Sequence, residues 1–145
     1  MIGLLQRVTR AQVWVEGRSV AAIDCGLLVL VAVERQESEA RADRLLQRLL
    51  GYRVFADSQG RMNLCLKDTG DGLLLVPQFT LAADTGKGTR PGFSAAAPPQ
   101  EGQRLFTYLC DRARALHQPV ACGVFGANMQ VELVNDGPVT FWLRT

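Results

Sequence analysis

The chain has 145 residues, 48% of them hydrophobic and 21% charged, with a formal net charge of +2 at pH 7. These values indicate one globular domain with a substantial core, spanning residues 1–145. The longest apolar run, Gly26 to Val33, is too short for a membrane span, and the opening residues meet Gln6 and Arg7 too early for a signal peptide. A charge of +2 permits a polyanionic partner without requiring one, because local basic patches matter more than the total.

The four cysteines are scattered, and no two form a C-x-x-C pair: they are Cys25, Cys65, Cys110 and Cys122. With a single histidine in the chain, this spacing argues against a zinc site and against a disulfide framework. Each cysteine has apolar neighbours, so we interpret all four as reduced, buried, small hydrophobic side chains, as suits the cytoplasm. We therefore expect no metal and no cofactor.

The first part of the chain predicts strands. Ile2 to Thr9 and Ala11 to Val15 are rich in residues that favour β-structure. A tight turn at Glu16-Gly17-Arg18 leads to a returning strand over Ser19 to Ile23. Gly26 to Val33 is continuously apolar, which predicts a strand buried on both faces.

A first helix is predicted from Ser38, as N-cap, to Leu50, with Gly51 as the residue that ends it. One apolar stripe follows helical spacing: Leu45, Leu46, Leu49 and Leu50. Another face carries three arginines, which a solvated surface explains as well as a phosphate partner does: Arg41, Arg44 and Arg48.

The remaining chain predicts one more long helix, from Pro98 to about Leu116, and several short strands. The predicted strands are Tyr52–Phe55, Met62–Leu64, Leu73–Gln78, Val120–Phe125, Met129–Val134 and Val139–Leu143. The irregular segment from Ala82 to Ala97 carries Lys87 and Arg90, which are better candidates for phosphate contacts. We expect an α+β fold: a single domain whose mixed or antiparallel sheet forms a barrel-like core, with two main helices.

Two polar interruptions lie beside apolar runs, at strand ends where functional sites usually occur. Gln78 and Thr80 follow one strand, and they share a face only if that strand continues. Phe79 then points the other way, unless a bend presents all three to one pocket. The other interruption, around Gly137-Pro138, indicates a hairpin turn between two strands, and composition alone does not favour a cis bond there.

The sequence offers few side chains for acid or base chemistry. His117, the only imidazole, lies near the end of the second helix, where a charged ring favours the helix C-terminus. This argues against Ser-His-Asp and Cys-His sites. Thr80 could bind a substrate or act as a weak nucleophile, although its residue type alone indicates only a preference for strands.

Taken together, seven segments resemble the D-aminoacyl-tRNA deacylase family from end to end, with similar spacing. They are Met1–Ala11, Gly26–Val31, Arg61–Leu64, Gln78–Asp84, Arg90–Ser94, Met129–Val131 and Asn135–Trp142. The resemblance implies a homodimer that hydrolyses the ester between a D-amino acid and the 3′-terminal adenosine of tRNA, and that also clears glycine mischarged on tRNA for alanine. It implies no membrane association and no cofactor.

The same resemblance implies the site residues. Gln78, Phe79 and Thr80 fall on the family's catalytic segment, and Gly137, Pro138 and Met129 fall on its substrate-binding positions. In the family the Gly-Pro bond is cis and enters the active site of the other subunit. The ribose 2′-hydroxyl would then assist the attack of water, while backbone N–H groups near Phe79 and Thr80 stabilise the oxyanion.

One departure from the family pattern affects the substrate assignment. The family's usual Ser is Pro77 here, which removes a hydroxyl and a backbone N–H. A related branch of tRNA deacylases with different amino-acid rejection also carries Pro-Gln at this place. Two more hypotheses stay open: Thr80 as the nucleophile, and an RNA-binding module without catalysis.

Overall fold

One long strand organises the sheet of the computed structural model, which describes residues 1–145. The strands are β1 (Ile2–Val15), β2 (Arg18–Ile23), β3 (Gly26–Ala32), β4 (Phe55–Ala56), β5 (Met62–Leu64), β6 (Gly72–Pro77), β7 (Val120–Cys122) and β8 (Met129–Arg144). The helices are α1 (Glu39–Gly51), α2 (Leu66–Thr69) and α3 (Pro99–Leu116), with a 3₁₀ turn at Phe79–Ala82.

The main sheet has six strands and mixed direction, and it forms a nearly closed barrel. β1 pairs antiparallel with β3 and then β2 along one edge, and with β8 along the other. β6 pairs parallel with β3, and β7 pairs parallel with β6. This confirms the predicted α+β fold with a barrel-like core and two main helices.

The strands β3 and β6 are buried on both faces because alternate side chains enter two different cores. Leu27, Val29 and Val31 pack with α1 and α3 in the larger core. Leu28 and Leu74 face the opposite side, in a smaller cluster that includes residues of β1 and β2. The continuous apolar run seen in the sequence is therefore required by burial on both faces.

Both β3 and β6 need glycine at their start, because neighbouring atoms approach each of these positions closely. Gly26 has φ +153°, and a Cβ there would lie 1.9 Å from the carbonyl oxygen of Gly72. A Cβ on Gly72 would lie 2.9 Å from the Cβ of Ile23. A side chain at Gly26 would therefore push the parallel strands β3 and β6 apart, and one at Gly72 would collide with Ile23 of β2.

The helices follow the predicted apolar stripes, with differences at their ends. Ser38 is the N-cap of α1, and its side chain accepts a hydrogen bond from the backbone N–H of Arg41. The prediction that Gly51 stands beyond the helix is wrong, because Gly51 is its last residue and the chain leaves through Tyr52 in extended backbone. The one-turn helix α2 was not predicted, since its four residues are too few to show a period. No helix is both long and apolar enough to cross a bilayer.

The prediction that all four cysteines are buried is wrong. Only Cys110 is buried, Cys65 and Cys122 are half-buried, and Cys25 is exposed. Cys25 lies in the short turn between β2 and β3, directly before the close contact of Gly26 with Gly72, and not inside a core. The Cys110 thiol faces that of Cys122, and this hydrogen bond together with burial raises the pKa of Cys110.

The predicted hairpin at residues 135–140 is also wrong, because β8 is one continuous strand. Both of its halves pair antiparallel with β1, so they do not pair with each other. Asn135 lies opposite Val8 and Thr140 lies opposite Gln6, which leaves four residues of β8 opposite Arg7 alone. We call the segment Asp136–Val139 the Gly-Pro bulge.

Candidate active site

The site begins where β6 ends, between its parallel neighbours β3 and β7. The backbone N–H of Gln78 continues the ladder by donating to the carbonyl of Val31 at 2.7 Å. The chain then turns into the 3₁₀ turn, and Leu81 makes its first hydrogen bond, to the carbonyl of Gln78 at 3.2 Å. The amides of Phe79 and Thr80 precede that bond, so they have no acceptor within the turn.

A pocket of about 450 Å³ opens beside this strand end, within the range of volumes that small-molecule sites occupy. Gln78 and Phe79 line it together with Met129, and two further aromatic side chains, Phe106 and Phe125, form part of its wall. The sulfur of Met129 accepts a hydrogen bond from the backbone N–H of Val124 at 3.4 Å, which links β8 to the loop after β7. The pocket can therefore enclose a flat apolar group.

The pocket wall carries no ionisable side chain. Gln78 is its only side chain with a nitrogen or oxygen atom, and the carboxamide donates a hydrogen bond to the hydroxyl of Thr80. Thr80 borders a neighbouring depression, which Trp142 also lines. The bend at the strand end thus presents Gln78 and Phe79 to one pocket, and it keeps Thr80 in contact with Gln78 although the strand does not continue.

The irregular segment after the turn folds back against the same place. Asp84 pairs with Gly92, and Glu34 pairs with Ala96, so the loop between them is held at both ends. Its Phe93 ring lies 5.1 Å from the ring of Phe79, and the two side chains are 40% and 57% exposed. The sequence did not single out Phe93, since one aromatic residue in an aperiodic segment carries no signal of its own.

Asp136, Gly137 and Pro138 of the Gly-Pro bulge are exposed, and Val139 is buried in the larger core. The bulge lies outside the pocket of its own chain. The amide of Asn135 closes it, because Oδ1 accepts from Val139 N at 2.8 Å and Nδ2 donates to Thr140 Oγ1 at 3.1 Å. The Gly137-Pro138 bond is cis, as the family resemblance implies. Gly137 has φ +131°, which favours glycine.

Arg7 anchors the bulge from β1. Its Nε lies 3.0 Å from the carboxylate of Asp136 and 3.2 Å from the Asp136 carbonyl, and Nη1 donates to the Val54 carbonyl at 2.5 Å. Nothing in the sequence around Arg7 indicated this partner. Arg7 and Asp136 are far apart in the chain and meet only through the pairing of β1 with β8.

His117 lies away from the pocket. It is the C-cap of α3, and its Nε2 lies 2.7 Å from the carbonyl of Asp71. The predicted position at the helix end is confirmed. No group of three or more His, Cys, Asp and Glu side chains lies together in a way that could hold a metal ion.

Comparisons with known proteins agree with one another. A family model described as D-Tyr-tRNA(Tyr) deacylase matches residues 4–144. The chain is 65% identical over 145 residues to a D-aminoacyl-tRNA deacylase of Stutzerimonas stutzeri (strain A1501), with 100% of each chain covered. A solved structure described as c-Myc DNA Unwinding Element Binding Protein is 34% identical with a TM-score of 0.95, covering 100% of this chain and 99% of that one. Another, described as a probable eukaryotic D-amino acid tRNA deacylase, is 17% identical with a TM-score of 0.80, covering 98% and 97%; at this identity it supports the fold alone.

Proposed function

The chain belongs to the D-Tyr-tRNA(Tyr) deacylase family, and we propose that it hydrolyses the ester between a D-amino acid and the 3′-terminal adenosine of tRNA. The observation that carries this proposal is the pocket at the end of β6. It is large enough for a nucleoside and is walled by Phe106, Phe125 and Met129, and it opens beside two amides without an acceptor in their turn. The products are the free amino acid and tRNA. The biological role in this proposal is chiral proofreading in the cytoplasm.

The proposed mechanism is substrate-assisted catalysis. Water adds to the ester carbonyl carbon, a proton of that water passes to the ribose 3′-oxygen, and the bond between that oxygen and the carbonyl carbon breaks, which leaves the free carboxyl group and the ribose hydroxyl. The neighbouring 2′-hydroxyl of the ribose positions the water, because no side chain of the pocket wall can take a proton. The amides of Phe79 and Thr80 stabilise the oxyanion that develops, an electrostatic effect of a kind that typically contributes a large share of catalysis.

Chirality is decided in this proposal by a second copy of the chain. Asp136, Gly137 and Pro138 of the Gly-Pro bulge are exposed, and Asn135 and Arg7 hold the bulge in place. These three residues lie outside their own chain's pocket, so they are available to enter the pocket of a partner subunit. The Gly137 carbonyl would accept a hydrogen bond from the α-ammonium of the substrate. An L side chain would collide with this backbone, whereas a D side chain and glycine would not. Glycine mischarged on tRNA for alanine is then also a substrate.

Single-turnover hydrolysis of matched D-Tyr-, L-Tyr- and glycyl-tRNA tests the proposal. We expect rapid cleavage of the D and glycyl esters, with L-Tyr-tRNA left intact. Binding of tRNA without turnover would instead indicate a non-catalytic RNA-binding module. Cleavage of L-Tyr-tRNA as fast as D-Tyr-tRNA would overturn rejection by the Gly-Pro bulge, and Pro77→Ser would then show whether Pro77 causes the difference.

The mass in solution tests the dimer. We expect twice the chain mass of 15.9 kDa by light scattering. A monomer that still cleaves only D and glycyl esters would contradict the contribution of the partner subunit.

A further inference from the structure

Most arginines of the protein are already occupied by the fold. Arg41 and Arg48 on α1 donate to the carbonyls of Thr145 and Arg144. Further arginines form ion pairs with carboxylates: Arg7, Arg10, Arg61, Arg104, Arg112, Arg114 and Arg144. These side chains already bond to groups of the protein itself. The arginines of α1 are therefore weaker candidates for a phosphate contact than basic side chains without a partner.

Two basic side chains near the pocket have no such partner. Lys87 and Arg90 are exposed and take part in none of the ion pairs. The nearby Asp84 carboxylate accepts a hydrogen bond from the backbone N–H of Gly86 at 2.9 Å. The positive charge of both side chains therefore faces solvent without a carboxylate against it.

The segment that carries them is fixed beside the pocket. We call Thr85–Ser94 the cationic loop. The loop begins at Thr85, in the depression that Thr80 also borders. The chain that follows the loop reaches the pocket wall at Ala97. Backbone pairing of Arg35 N with the Ala95 carbonyl at 2.9 Å holds its end, and Phe93 packs on Phe79.

We propose that the cationic loop binds the sugar-phosphate backbone of the unpaired nucleotides that precede the terminal adenosine of tRNA. Lys87 and Arg90 neutralise phosphates, and the exposed face of Phe93 stacks on a base. Basic side chains beside an exposed aromatic ring are the combination that single-stranded nucleic acid requires. This inference rests on the proposed function, since it extends the same pocket outward along its substrate.

Two double variants and two esters test it. Lys87→Ala with Arg90→Ala removes two positive charges from the loop, and Arg18→Ala with Arg44→Ala removes two exposed charges elsewhere as the matched control. Each protein is assayed on D-Tyr-tRNA and on 3′-D-tyrosyl-adenosine, which has no phosphate. We expect the loop variant to lose kcat/KM on the tRNA ester only.

Salt dependence gives the size of the effect. Two lost contacts to single-stranded phosphates should flatten the log–log salt slope of kcat/KM by about 1.4. Between about 50 and about 200 mM salt, the wild type should therefore lose about sevenfold more activity on tRNA than the loop variant. The affinity for uncharged tRNA should follow the same slopes, which makes the result independent of hydrolysis.

The possible outcomes distinguish the binding role of the cationic loop from the proposed hydrolytic function. Equal losses in the loop variant and the control, or a loss on the adenosine ester as large as on tRNA, would overturn the binding role of the loop. Wild-type protein that cleaves neither ester would refute the proposed function, and tRNA affinity would still decide the role of the loop. All four substituted side chains are exposed, so both double variants should fold normally. Thermal unfolding curves check this for each variant.

Discussion

The carboxamide of Gln78 donates a hydrogen bond to the hydroxyl oxygen of Thr80, and this contact fixes both side chains on the turn after β6. In the proposed mechanism Thr80 therefore has a positioning role, because its hydroxyl oxygen is already engaged by Gln78. A nucleophilic role for Thr80 would need a partner that removes the hydroxyl proton. Two carboxylates, Glu34 and Asp84, line the depression that Thr80 borders. Glu34 pairs with Arg144, Asp84 accepts from a nearby backbone N–H, and neither forms a hydrogen bond with Thr80.

Thr80→Ala should therefore lower single-turnover hydrolysis of D-Tyr-tRNA by less than about tenfold, because it removes positioning and no proton transfer. A substrate that ends in 2′-deoxyadenosine should react more than about a hundredfold slower, as expected when proton-transfer assistance is lost. Thr80→Ser is the control that keeps the hydroxyl. A trapped acyl-enzyme that forms on wild type and not on Thr80→Ala would reverse this assignment.

Gly137→Ala should abolish most hydrolysis of D-aminoacyl esters. The new Cβ would lie 2.7 Å from Val139 Cγ2 and 3.1 Å from Arg7 Nη2, so the bulge or its anchor has to move. Gly17→Ala is the matched control, since Gly17 also has positive φ but has nothing within 4 Å of its Cβ. Gly17→Ala should lose about 1–2 kcal/mol of stability in urea unfolding. Gly137→Ala should lose at least as much because of the added clash, and only Gly137→Ala should lose activity. Equal activity in the two variants would show that the bulge geometry is irrelevant.

Arg7→Gln should release the Gly-Pro bulge while leaving the sheet intact. The variant loses the contacts of the guanidinium to Asp136 and to the Val54 carbonyl. We expect slower cleavage of D-Tyr-tRNA together with a smaller ratio of D-Tyr to L-Tyr cleavage. Arg10→Gln, whose partner Glu132 is exposed, should match wild type in both measurements. If Arg7→Gln leaves the ratio of D-Tyr to L-Tyr cleavage unchanged, the contacts of Arg7 with the bulge do not determine chiral selectivity.

Asp43 should contribute stability that depends on pH. Its carboxylate accepts hydrogen bonds from Arg112 Nε and the Tyr108 hydroxyl, both at 3.0 Å. The Arg112 hydrogen bond, the largest cause, and the Tyr108 hydrogen bond hold the pKa of Asp43 below its ordinary value of 3.8, against the opposing effect of desolvation. The folded pKa is depressed, so the stabilisation is present above about pH 4 and is lost as pH falls through the folded pKa.

Urea unfolding of wild type and Asp43→Asn at several pH values checks this sign. Asp43→Asn should be the less stable protein at pH 7, and the difference should shrink in acid. Asp111→Asn, whose carboxylate is 67% exposed, serves as the control. A difference that grows on acidification would mean that the carboxylate is not stabilised by Arg112.

The sequence predicted elements whose signal is local. The leucine stripe of α1 and the apolar runs of β3 and β6 each record burial by their own spacing, and the structure bears them out. The segment around Gly137-Pro138 was misjudged, because a turn between two strands has the same local signal whether its arms pair together or both pair with β1. Strand pairing across more than a hundred residues leaves no local trace.

The candidate site, like the fold, combines residues with a local sequence signal and residues that depend on long-range strand pairing. Gln78, Phe79 and Met129 line one pocket. The strand-end argument had singled out Gln78 and Phe79, whereas Met129 came only from the family resemblance; that this pocket is the active site stays a prediction. Gly137 and Pro138 do not reach it within one chain, and their proposed role in a partner's pocket stays a prediction. The anchoring role of Arg7 depends on long-range pairing and could not be predicted from spacing.

If the Gly-Pro bulge sets selectivity as proposed, selectivity resides in a segment that can be removed without altering the rest of the sheet. Without Asp136, Gly137 and Pro138, Val139 would stand opposite Arg7, and the pairing of β1 with β8 would run in register from Gln6 to Val8. The sheet would be more regular for that loss, so nothing in the folding of the barrel demands the insertion. Its length and sequence can therefore vary independently of the fold, which leaves substrate choice free to diverge while the scaffold stays the same.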